Sequence, residues 1–211
     1  MGTSILLKAA YDLFEVMKIM DKTVDKSLPR EIAGIVKFHS KGSAIAGIAG
    51  GGIPAVGPVV AGVISAGFIW TMYVRINSKI DLPLSENILK SLASGVATNI
   101  VTQVVGIFAL ATVSSLIPVL GNAVAIVVMG STVYGITLAA GFVYLKILTR
   151  VFKSGKDPSS LTAENLKNVA NEIVQNENIK SVMKEAKKEY KAAKARGEIQ
   201  EELKNQNIVA S

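Results

Sequence analysis

From Ser91 to Leu145 the chain runs for 55 residues without a charged side chain, and it does so again from Gly42 to Val74. No feature constrains the fold more. The backbone of such a stretch must satisfy its own hydrogen bonds and then bury its side chains in protein or in lipid. Both runs are too long for strands and lack two-residue alternation, so helix is the expected form. Each run is interrupted in the same way. The first contains Ile53-Pro54 followed by Gly57-Pro58, and the second contains Ile117-Pro118 followed by Gly121-Asn122. Proline removes a backbone donor and clashes with the preceding turn, while glycine permits a reversal. The spacing of the two breaks suggests a weak internal duplication.

The expected fold is therefore all-α. Two apolar helical hairpins with Pro/Gly tips, at Pro54, Gly57, Pro58 and at Pro118, Gly121, Asn122, join about 32–52 to 58–77 and about 86–116 to 122–149. An amphipathic N-terminal helix precedes them, with Leu6, Ala9, Leu13, Met17 and Met20 near helical spacing. A polar helical tail follows, predicted as helices over 162–175 and 178–195. Its apolar stripes are Leu166, Val169, Ala170, Ile173, Val174 and then Ile179, Val182, Met183, Ala186, Tyr190, Ala193. The organisation reads as 1–31, N-terminal helix and link; 32–152, hydrophobic double hairpin; 153–211, linker and charged tail.

A spanning helix needs about 20 apolar residues. Segments 58–74, 96–116 and 123–145 approach or exceed that; the glycine-rich arm 42–52 falls short. Basic residues stand at every open end of the hairpins: Lys37, Lys41, Arg75, Lys79, Lys90, Lys146, Arg150 and Lys153. The tips carry no charge. By the positive-inside rule both termini face the cytoplasm, and the expected location is the cytoplasmic (inner) membrane. Small residues four apart, Gly62 with Ala66 and Ser131 with Gly135 and Ala139, form stripes for close helix packing. The same pattern also fits a water-soluble bundle whose central helices are wrapped by amphipathic ones. Asn99 and Gln103 share a helix face, suited to a polar path, a subunit contact or, more plainly, hydrogen bonds to a neighbouring helix. No Asp, Glu, Lys, Arg or His lies within the uncharged runs, which argues against an ion pump or proton-coupled transporter.

The net charge of +7 points to an anionic membrane surface rather than to nucleic acid, because the basic residues flank apolar runs without interleaved exposed aromatics. In the tail, Lys184, Lys187, Lys188, Lys191, Lys194 and Arg196 fit a solvated helix packed on the rest, a partner contact, or a basic face on lipid headgroups; Glu185 and Glu189 dilute them. There is no cysteine, and the single histidine, His39, reads as a surface or helix-end residue beside Lys37 and Lys41. Gly50-Gly51-Gly52 is not followed by the Lys-Ser/Thr of a phosphate loop. No catalytic, cofactor or metal site is expected, and the chain reads as a non-enzyme.

The segments "IPAVGPVVAGVISAGFIWTMYVRI", "DLPLSENILKSLASGV" and "SSLIPVLGNAVAIVVMGSTVYGITLAAGFVYLKIL" together resemble the YcjF-type domain family of unknown function. That family occurs alone or fused to Era-like and other small GTPases. The resemblance covers roughly 42–150 and includes the first long helix ending at Arg75, the Ile117 to Gly121 motif and Tyr144. Thr71-Met72 departs from the Gln-Met pair often seen in the family. The resemblance implies membrane-associated hairpins and a link to GTPase or stress systems, and it implies no reaction. The expected function is a non-enzymatic integral or membrane-inserting helical protein acting as an assembly or scaffold unit. Its partners would be the lipid bilayer, further copies of itself and a GTPase. The alternative is a pore-forming or membrane-disrupting protein with a colicin-like hairpin hidden until insertion.

Overall fold

A computed structural model describes residues 4–20, 24–50, 57–115, 121–155 and 160–199, and side chains outside 49–62 and 104–127. The described residues form seven helices and no strand: α1 Ile5–Ile19, α2 Leu28–Gly50, α3 Gly57–Lys79, α4 Glu86–Ser115, α5 Gly121–Lys153, α6 Ala163–Asn176 and α7 Ile179–Ala195.

The outer helices start where short polar side chains cap them. The Ser4 hydroxyl accepts from the Leu7 amide at 3.2 Å, Thr162 from Asn165 at 3.1 Å, and Asn178 from Ser181 at 2.9 Å. Helix α2 begins four residues earlier than its apolar pattern suggests. Ser27 and Glu31 form a capping pair through their side chains, the Glu31 amide donates to the Ser27 carbonyl at 3.1 Å, and Pro29 is tolerated in the first turn. At its far end α5 closes on Gly155, whose φ of +64° is a left-handed conformation that glycine adopts without steric cost.

Helix α5 is the centre of the bundle. At 33 residues it is about 50 Å long. Helices α2, α3 and α4 pack on it, with α1, α6 and α7 added from outside. Its residues 132–145 are buried without interruption. Close approach depends on small residues. A Cβ at Gly141 would stand 2.5 Å from the Val36 side chain, and one at Gly130 would stand 2.8 Å from Ile48.

These contacts set the helix directions. Val36 meets Gly141, Gly47 meets Val133 and Ile48 meets Gly130, so α2 runs antiparallel to α5. Tyr73 bonds to Ala140 and Asn77 to Tyr144, so α3 runs parallel to α5. The last turn of α2, the first turn of α3 and the first turn of α5 therefore lie at one end. Five residues join α4 to α5, which keeps the end of α4 within about 20 Å of that place. The break residues Pro54 and Pro118 lie outside the described residues. Gly57-Pro58 opens α3, and Gly121-Asn122 opens α5.

Within α5, Val128–Lys153 is apolar and long enough to cross a bilayer, with a mean hydropathy of 1.5. Yet 83% of its most apolar window is buried by the other helices. The amphipathic helices achieve this with the stripes expected of them. Ile179, Val182, Met183, Ala186, Tyr190 and Ala193 of α7 are all buried, as are Leu6, Ala9, Leu13 and Met17 of α1; Met20, past the end of α1, is 42% exposed.

Candidate functional site

Two structures stand out against the apolar background: a buried polar joint between α3 and α5, and a set of ion pairs binding the outer helices to the core.

In the joint, the rings of Tyr73 and Tyr144 stack with centroids 3.9 Å apart and planes 16° from parallel. The Tyr73 hydroxyl donates to the Ala140 carbonyl at 3.1 Å, and the Tyr144 hydroxyl donates to Asn77 Oδ1. All three side chains are buried. Buried hydroxyls without such partners would be costly, so these bonds let two tyrosines occupy the core.

The ion pairs mostly join core to shell. Lys37 of α2 lies 3.2 Å from Glu189 of α7, and Lys41 pairs with Glu198 just beyond α7. Lys146 of α5 lies 3.7 Å from Asp12 of α1 and 3.5 Å from Glu177 after α6, while Arg150 lies 2.6 Å from Glu172 of α6. Within the core, Lys79 pairs with Glu31, and Lys90 lies 3.9 Å from Glu86. The Lys79 ammonium holds the Glu31 carboxyl below its ordinary value and is itself held above its own. Arg196 and Lys41 do the same to Glu198. All these pairs are at least partly exposed, so each contributes little alone. They link α1, α6 and the α7 end of the chain to α2 and α5.

The basic residues expected to flank a membrane are thus largely engaged in the protein itself. Lys90 also lies over the Trp70 ring at 4.4 Å, and Arg75 over Phe38 at 5.1 Å; Lys153 is exposed. Of the small-residue stripes, Gly135 receives Met183 and Ala186 of α7, Ala139 is buried, and Ser131 and Ala66 are half-buried; the Gly62 side-chain position is outside the described set. Asn99 donates to Asn171, and Gln103 Nε2 donates to the Val174 carbonyl at 2.9 Å, so this face binds α6.

His39 corrects the surface reading. It sits in mid-α2, 5% exposed, with Nδ1 2.9 Å from the Ile35 carbonyl and its ring edge-on to Phe38. Burial pushes its pKa below the ordinary value, and the Arg75 charge adds to that. Among the described residues no group of three His, Asp or Glu side chains is placed to hold a metal ion. Two features are not legible in the sequence: the Tyr73–Tyr144–Asn77 joint, and the inward engagement of Glu189 with Lys37 and of Glu185, which accepts the Ile5 amide at 2.8 Å. Both depend on pairings between distant segments. No family model, no curated protein and no solved structure matches this chain.

Proposed function

We propose that this chain is a non-enzymatic membrane-inserting helical protein, an assembly unit whose uncharged end enters a bilayer while its charged body stays in water. The supporting observation is the asymmetry of the bundle. Helices α2, α3 and α5 bring their uncharged ends to one place, and neither 49–62 nor 104–127 contains a charged residue. At the margin of that region Val63 of α3 is 69% exposed, an apolar side chain facing outward where a lipid boundary would fall. Away from it the bundle is sheathed by amphipathic helices and ion pairs, as an aqueous body requires. In this reading the two uncharged breaks are hairpin tips that pass into the membrane, and both termini stay on the cytoplasmic side. Self-association would have to use the half-buried Ala66 face of α3, because Gly135 and Ala139 are taken up inside the bundle. A GTPase partner rests on the YcjF-type resemblance alone.

A second reading is favoured by the burial of α5. A spanning-length helix wrapped by amphipathic helices is what a pore-forming protein needs before insertion. One experiment separates the two. The 211-residue chain prepared without detergent is mixed with dye-loaded vesicles and then floated on a density gradient. The assembly reading expects flotation, resistance to carbonate extraction and no dye release. Flotation with rapid release favours the pore. Protein that remains at the bottom of the gradient contradicts both.

A further inference from the structure

Helix α7 separates its charges into two flanks. Its buried stripe, from Ile179 to Ala193, faces the core. On one side of that stripe stand the two glutamates, and both are used inward. Glu185 accepts the Ile5 amide of α1 at 2.8 Å, and Glu189 pairs with Lys37 of α2 at 3.2 Å. On the other side, Lys180, Lys184, Lys187, Lys191 and Lys194 follow one another at intervals of four, three, four and three, which places them along a single helix face. Four of these are exposed, and Lys187 is half-buried. No carboxylate among the described residues pairs with any of them. The glutamates that dilute the charge of α7 in the sequence are therefore spent on the fold, and the outward flank is purely basic.

Position supplies the second argument. Met183 and Ala186 pack at Gly135, and Tyr190 packs at Gly130. Helix α7 thus runs toward the end of the bundle where α5 starts and the uncharged residues begin. It also touches α4, whose last turns belong to the uncharged stretch. Lysines with long apolar stems at such a border can keep their ammonium groups at headgroup level.

We propose that the lysine flank of α7, Lys184, Lys187, Lys191 and Lys194 above all, docks on the anionic headgroups of a lipid bilayer and sets the depth to which the uncharged end enters. This rests on the membrane-inserting reading above and adds the lipid class that the protein prefers. Burial and the neighbouring Lys191 charge hold the Lys187 ammonium below its ordinary pKa, a cost that an opposing phosphate would relieve.

The test measures binding of the full chain to two kinds of vesicle, pure phosphatidylcholine and phosphatidylcholine with about a third phosphatidylglycerol. With about 1 kcal/mol for each lysine near an anionic surface, the wild type is expected to bind the anionic vesicles at least tenfold more tightly. Raising salt to about 0.5 M should erase most of that preference. The quadruple variant K184Q, K187Q, K191Q, K194Q should lose the preference while still binding phosphatidylcholine. The matching Lys→Arg quadruple, which keeps charge, should retain it, and its retention shows that the surface is read by charge and not by fold damage. Equal binding of wild type to both vesicles, or a preference that survives the Gln variant, overturns this inference and leaves the membrane reading standing. No binding to either vesicle overturns both. Tight binding of a random DNA oligonucleotide without lipid preference assigns the flank to nucleic acid and overturns the proposal.

Discussion

Replacing Tyr144 with alanine is expected to lower the thermal midpoint of the full chain by about 6–20 °C. The side chain is fully buried, and its removal leaves a cavity beside the Tyr73 ring on which it stacks. Truncating a buried aromatic costs about 3–5 kcal/mol, and for a chain of this size each kcal/mol is worth about 2–4 °C. The loss does not end with the ring. Asn77 Nδ2 has no hydrogen-bond partner among the described residues, so the bond from the Tyr144 hydroxyl to Oδ1 is what that buried amide side chain has. Tyr144→Phe isolates this part. It keeps the stack, strands both ends of Asn77, and should cost about 1–3 kcal/mol. Circular dichroism melts of the two variants check the pair. A Tyr144→Ala shift of less than about 2 °C would show that α3 and α5 do not meet through this joint.

The second expected result concerns the uncharged ends. A lysine near the centre of a membrane-inserted helix costs about 3 kcal/mol, which is about a hundredfold in partitioning. Val60→Lys and Leu110→Lys place one such charge in the uncharged part of α3 and of α4. Each should reduce vesicle binding about a hundredfold. Ser94→Lys, at an exposed position on the body of α4, should leave it unchanged. Flotation across a lipid titration reads all three. If Val60→Lys and Leu110→Lys float as the wild type does, those segments do not enter the bilayer.

Most of the helical plan was readable in the sequence, because it depends on local signals. Apolar spacing marks α1, α6 and α7. The absence of charge marked the core helices. The start of α2 was misplaced because Lys26, Arg30 and Glu31 look like linker, whereas Ser27 and Glu31 cap a helix whose apolar face starts at Leu28. What stayed hidden were pairings across long separations. Nothing near Lys37 announces Glu189, and nothing near Lys146 announces Asp12. A lysine beside an apolar run looks the same whether it will meet a phosphate or a carboxylate. His39 is different: Lys37 and Lys41 beside it suggest a surface, but the ring lies 5% exposed in mid-α2, with Nδ1 at the Ile35 carbonyl.

If one end of this bundle enters lipid and the other does not, labels at the two ends must report different surroundings. The chain has no cysteine, so a single introduced one can carry a polarity-sensitive fluorophore without background. Labels at Val119→Cys, between α4 and α5, and at Ser94→Cys, on the body, would be compared in vesicles containing brominated lipid. The label at 119 should be blue-shifted and strongly quenched, and the label at 94 aqueous and unquenched. An aqueous label at 119 in vesicle-bound protein would contradict entry of that end into lipid.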